Sequence, residues 1–189
     1  MIIYIAPQDK RMYQRTLEFA KKNEIRMVVM GEDGFLKLDD ANAGRKIHYL
    51  NGDYLFGDRE TIWIVGHGNE REIGDEKGGV TINAEDLAGI LKSIFLIHGN
   101  KYRGSIVIDT CRSGVKGGDR KTFADNVYGG LKGDFPHVTV GGWIGDAVGP
   151  ISGGRTELLG QEFSKDDGFA WANRIRPEVG DHDVLAKLA

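Results

Sequence analysis

Two short stretches carry the residue types of acyl-transfer chemistry. "IVGHGNE" (64–70) ends an apolar run on His67, framed by Gly66 and Gly68, and "IVIDTCRSG" (106–114) ends another on Cys111, the one cysteine of the chain. A thiol becomes an acyl-transfer nucleophile when a base stands beside it and N–H donors face the carbonyl it attacks. Gly66 and Gly68 let the backbone turn sharply around His67, and the N–H groups of Gly68 and Cys111 are suited to an oxyanion hole. Alone, a cysteine after a buried strand reads as a small hydrophobe and a histidine between glycines as a strand end. The flanking Asp, Arg, Ser and Gly set Cys111 outside a core, and the two residues together read as a catalytic dyad.

The elements between these stretches bring them together. Apolar runs at 2–5, 27–30, 62–65, 106–108 and 138–140 are short and continuous, the pattern of strands buried on both faces. Helical periodicity covers 9–23, with Tyr13, Leu17 and Ala20 on one stripe. It is clearer over 84–97, where Leu87, Ile90, Leu91, Ile94 and Phe95 share a face behind an N-cap at Asn83, with Asp86 three residues on. A third helix is expected over 119–131, starting near Asp119. Strand and helix in alternation predict an α/β fold, a three-layer α/β/α sandwich around a mostly parallel sheet. Strand 62–65, helix 84–97 and strand 105–109 form one βαβ unit, so His67 and Cys111 leave the same edge of the sheet from strands about 4.8 Å apart. Ligands bind open α/β sheets at that edge. "KIHYL" (46–50) reads as an extra strand or half a hairpin, 154–163 as a helix, the C-terminus as a short helix, and "GFAWANRI" (168–175) as strand or loop.

Composition bounds the remaining classes. The 189 residues suit one domain, 1–189, able to bury a core without disulfides or structural metal. A single cysteine and no CxxC pair exclude an internal disulfide and thioredoxin-type chemistry and point to a reducing, cytoplasmic setting. "MIIYIAPQDK" does not read as a signal peptide, and no run reaches the roughly 18 apolar residues of a membrane helix. With a net charge of −3 and scattered basic residues, neither a nucleic-acid nor a membrane partner is expected. Glycine, at 28 residues, clusters after the apolar runs and marks tight loops at strand ends. His48, His98, His137 and His182 lack glycine framing and read as surface or core-edge residues. No dinucleotide fingerprint, Walker loop, HExxH helix or Cys-x5-Arg phosphatase loop is present, and "SGGRTELLG" (152–160) reads as a loop entering a helix.

"GHG" (66–68) and "DTCRSG" (109–114), in this order and strand context, resemble the motifs of the caspase-like-fold cysteine peptidases, clan CD. They are most similar to those of metacaspases and clostripain. "VGHG" (65–68) followed by "NAEDLAGIL" (83–91) is also similar to the autoprocessing cysteine protease domains of bacterial toxins. The resemblance covers roughly residues 60–145. Asp109-Thr110 stand where caspases have Gln-Ala, which argues against caspase specificity, and Arg112 replaces a typical metacaspase His. The resemblance implies a cysteine endopeptidase acting on a protein or peptide through His67 and Cys111, with Gly68 and Cys111 as oxyanion donors and no catalytic metal. It further implies self-processing, or an allosteric activator, with calcium and inositol hexakisphosphate both left open. The exposed loop 112–121, with Lys116, Arg120 and Lys121, is the expected place of nicking or ordering. In the metacaspases the acid matching Asp109 helps hold an Arg or Lys; Asp146 is a second candidate, and local capping and solvated acids are the plainer readings of the two. The toxin domains instead imply leucine before the cleaved bond and delivery into a host cell as an effector. A catalytically silent interaction module, or a small-molecule-binding α/β domain, are the other readings.

Overall fold

A computed structural model of the chain describes residues 1–6, 8–30, 36–38, 57–75, 79–96, 101–117, 121–146 and 169–172. The strands β1 (Ile2–Tyr4), β2 (Met27–Met30), β3 (Leu36–Leu38), β4 (Ile62–Val65), β8 (Ser105–Asp109), β9 (Thr139–Trp143) and β10 (Phe169–Trp171) form one sheet in the order β10-β9-β8-β4-β1-β2-β3. The five inner strands pair in parallel, and the edge strands β3 and β10 are antiparallel to their neighbours. "GFAW" is therefore a strand at its Phe169–Trp171 core. "KIHYL", 154–163 and the C-terminal segment lie outside the described residues.

The continuous apolar runs follow from burial on both faces. Ile3, Ile64, Ile106 and Ile108 pack with the helices α2 (Ala84–Leu96) and α3 (Phe123–Leu131), through Leu87, Leu91, Phe95, Val127 and Leu131. The alternate residues Ile2, Tyr4, Trp63, Val65 and Val107 pack with Leu17, Phe19 and Ala20 of α1 (Lys10–Lys22). An aliphatic side chain buried this fully contributes about 1.5–3 kcal/mol. The result is a mixed α/β fold with a mostly parallel central sheet. Among the described residues no helix is long and apolar enough to cross a membrane.

Caps set where the helices begin. Asp9 belongs to the N-cap of α1, not to its first turn, and its Oδ1 accepts the Arg11 and Met12 N–H groups at 2.9 Å each. Asn83 caps α2 as expected, its Oδ1 taking the Asp86 N–H at 2.9 Å. Helix α3 starts at Phe123, later than the expected Asp119, because Thr122 and Asp125 form a reciprocal capping box with both bonds at 2.8 Å. A second, three-stranded sheet escapes the sequence pattern: β5 (His67–Gly68), β6 (Glu72–Gly74) and β7 (Thr81–Asn83), antiparallel throughout, fill the connection from β4 to α2. Its strands are two or three residues long, too short to show a period.

Thr122 is buried and begins the helix that follows the cysteine loop. Thr122→Ala should lower unfolding free energy by about 1 kcal/mol through loss of the cap, read as a fall of roughly 2–4 °C in Tm. An unchanged Tm would contradict the capping box.

Candidate active site at the strand ends

The strand order fixes the place where a site can form. From β1 the chain crosses through α1 to β2 on one side, whereas β4, β8 and β9 build outward on the other. The direction of winding therefore reverses between β1 and β4, and a crevice opens at the C-terminal ends of strands flanking such a switch point. Asp9 follows β1, His67 follows β4, and Cys111 follows β8, the next strand over. In the β4–β8 register Val65 pairs with Asp109, so His67 and Cys111 each stand two residues beyond one paired position.

The two loops touch. A Cβ placed on Gly68 would lie 2.8 Å from Thr110 Oγ1 and 3.0 Å from Thr110 Cβ, so only glycine allows this approach. Asn69 N–H donates to the Glu72 carbonyl at 3.0 Å. Alternation along the antiparallel pair then turns the Gly68 N–H away from β6. Thr110 Oγ1 is buried at this seam with no hydrogen-bond partner among the described residues. Arg112 and Glu70 bridge the same two loops by an ion pair, Nη2 to Oε2 at 3.7 Å.

His67 has a partner that sequence reasoning missed. Its Nε2 lies 2.6 Å from Asp9 Oδ2, with the two side chains 29% and 25% exposed. A carboxylate accepts, so Nε2 is assigned the proton and Nδ1 is the nitrogen left for proton transfer in the neutral ring. Asp9 is itself held. The Tyr4 hydroxyl donates to its carbonyl at 3.0 Å, and the neighbouring Gln8 N–H donates to Asp75 Oδ1 at 2.9 Å. Asp75 Oδ2 takes the Val80 N–H at 3.0 Å, which ties the entry of α1 to the small sheet. The His67 bond, aided by the Met12 and Arg11 N–H groups, holds the Asp9 carboxyl below its ordinary value against partial burial. A depressed carboxyl favours the folded state at neutral pH, and that contribution is lost as pH falls through the lowered value.

Cys111 is half-buried in a tight turn over residues 110–114. Ser113, fully buried, holds the turn from beneath: its Oγ lies 3.0 Å from both the Ile108 and Thr110 carbonyls and accepts the Trp143 N–H at 3.1 Å. Gly114 N–H donates to the Trp143 carbonyl at 2.8 Å, and Arg112 N–H donates to the Gly145 carbonyl at 2.7 Å. Arg112 takes φ 57°, a left-handed conformation that reverses the chain just after the cysteine. The turn is thereby fastened to the end of β9.

The two acids expected at a specificity pocket separate. Asp109 is fully buried, and its Oδ1 accepts the Trp143 indole N–H at 2.9 Å, so it braces β8 against β9 below the site. Asp146 is exposed on the rim, next to the Gly145 carbonyl that receives Arg112. His137 lies exposed in a turn, whereas His48, His98 and His182 fall outside the described residues. Of the loop 112–121, Gly117 N–H donates to the Lys121 carbonyl at 2.8 Å and Lys116 bridges to Thr122, closing the stem; residues 118–120 lie outside the described residues.

Compared with known proteins, the chain matches no family model and no curated protein sequence.

Asparagine caps a helix as well as aspartate does. Asp9→Asn should therefore keep the bonds to Arg11 and Met12, and a Tm close to wild type, while an amide N–H replaces the oxygen facing His67. That donor forces Nε2 to accept. Nitrogen-15 shifts of the neutral ring should report a proton on Nε2 in the wild type and on Nδ1 in the variant. The same tautomer in both would contradict the Asp9–His67 bond.

Proposed function

We propose that the chain is a cysteine endopeptidase of the caspase-like fold, its helices and sheet forming the three-layer α/β/α sandwich of that group. The observation that carries the reading is the junction of the two loops: His67 and Cys111 stand two residues past one paired position, and Gly68 packs against Thr110.

In this reading the Cys111 thiolate attacks the scissile carbonyl, and the tetrahedral oxyanion lies toward the N–H groups of Gly68 and Cys111. The proton delivered to the leaving amine comes from His67, whose Nδ1 is the nitrogen left for it while Asp9 accepts from Nε2. Water entering in place of the amine then gives its proton to Nδ1 and releases the acyl group. Asp9 acts through His67 and is a positioning residue. No metal enters any step, and a reducing compartment keeps the thiol competent.

The engagement of Asp109 with Trp143 withdraws the nearer of the two acids expected to hold an Arg or Lys before the cleaved bond. Exposed Asp146 remains as the rim acid for such a side chain. The burial of Asp109 favours the autoprocessing reading, in which leucine precedes the cleaved bond and the substrate is part of a longer protein.

Cys111→Ala and His67→Ala should each abolish peptide cleavage while leaving the chain folded, with a modest fall in Tm for His67→Ala because Asp9 loses its partner. The expected loss for His67 is at least the ~10²–10⁴-fold of general acid–base catalysis. Turnover within tenfold of wild type in either variant would contradict the dyad.

A further inference from the structure

Beside the catalytic seam lies a cavity of about 890 Å³ that the dyad does not use. Its walls are the tip of the β5–β6 hairpin at Glu70 and Arg71, the N-cap and first turn of α2 at Asn83 and Glu85, Gly117 of the cysteine loop, and Asn126 of α3. The cavity therefore begins where both catalytic loops end and runs over the α2–α3 face. Its volume is that of an ordinary ligand pocket and holds two or three side chains of a peptide.

The near end is built around a carboxylate with unfilled hydrogen-bonding capacity. Asn69 Oδ1 accepts the Arg71 and Glu72 N–H groups at 2.8 and 3.2 Å, which fixes the hairpin tip and the position of Glu70. Glu70 Oε2 is buried and has no hydrogen-bond partner among the described residues. Arg112, at 3.7 Å, neutralises part of its charge but stands beyond hydrogen-bond reach, with its side chain 55% exposed. A buried carboxylate oxygen left so calls for a donor supplied from outside. The flanking charges pair off, Lys92 with Asp134 at 2.8 Å and Glu70 loosely with Arg112 at 3.7 Å, so the sign of that donor is set by the Glu70 carboxylate itself.

We propose that this cavity is the leaving-side subsite of the peptidase and that Glu70 selects a Lys or Arg in the segment following the scissile bond. The inference rests on the peptidase reading. The leaving amine must depart beside His67, because His67 gives it the proton. Glu70 is three residues further along the same hairpin. The polypeptide beyond the cleaved bond is thus led over the hairpin tip and into the cavity. A guanidinium or ammonium arriving there replaces Arg112 and supplies the charge-assisted bond that Glu70 Oε2 lacks.

The test uses two series of fluorescent peptides that differ only in carrying Lys or Arg, or Ala, at the second or third position after the cleaved bond. Binding is followed by anisotropy on the Cys111→Ala chain, so that it does not depend on hydrolysis. The basic peptides should bind at least tenfold more tightly than the alanine peptides. Adding Glu70→Gln should bring the ratio to within about twofold, and Glu70→Lys should invert it in favour of the alanine peptides. Equal binding of the two series, or a basic preference that survives Glu70→Gln, overturns the inference. Cleavage of the same peptides by the wild-type chain is scored separately. A cut placed after the basic residue also overturns it, whereas Glu70-dependent binding with no cleavage counts against the peptidase reading and leaves the cation site in place.

Discussion

The parallel register of β4, with β1 on one side and β8 on the other, is the constraint on which the candidate site depends. Three consecutive neighbours in the sheet end at one level, and each hands over one polar residue: Asp9, His67 and Cys111. None of the three is near the others in sequence. A slip of β8 by one residue against β4 would turn its buried side chains to the opposite face and carry Cys111 out of line with His67. Ile106 and Ile108 on one face and Val107 on the other, all buried, make such a slip costly. The three candidate residues are thus registered by the hydrophobic core beneath them.

Above the core, polar bonds take over. Ser113 and Asp109 are both fully buried, and both are spent on Trp143, one through its backbone N–H and one through its indole. The cysteine turn therefore cannot move without unpairing groups on β9, at about 1–3 kcal/mol for each buried donor left without a partner. The histidine side is fixed differently. Asp75, also buried, joins the loop before α1 to the small sheet, and Gly74, at φ 155°, lets the chain turn where any side chain would strike the Val80 carbonyl. The seam between two such braced halves is closed by Gly68 against Thr110. It is also where the two buried side-chain oxygens without partners, on Glu70 and Thr110, are found among the described residues. Polar capacity left open in an otherwise satisfied structure is what a substrate would fill.

The larger part of this was legible in the sequence. The parallel strands announce themselves as apolar runs because both faces are buried, and the βαβ unit sets the strands that precede His67 and Cys111 side by side. Asp9 was not legible as a partner. Standing between a strand and a helical pattern it reads as part of α1, and nothing local says that β1 inserts beside β4. Its Oδ1 does serve the helix; only the sheet order reveals that Oδ2 serves His67. Asp109 was misleading for the converse reason. Spacing from Cys111 suggests an accessible acid, but strand alternation turns it inward, where Trp143, 34 residues away, supplies its partner. The later start of α3 does carry a sequence signal, since Thr122 with Asp125 three residues on is a capping-box pattern. The hairpin that carries Glu70 left no periodic trace.

The central claim is that His67 and Cys111 operate as one unit. The most direct measurement is covalent trapping with a peptidyl acyloxymethylketone, which requires a cysteine thiolate and a proton donor in the same pocket, followed by mass spectrometry of the intact chain and its fragments. The account predicts one adduct per chain, located at Cys111, formed rapidly by the wild type and at least a hundredfold more slowly by His67→Ala, on the scale of a lost ~10²–10⁴-fold acid–base contribution. An adduct that forms equally fast without His67, or none under conditions where the thiol still reacts with a small alkylating agent, would contradict it.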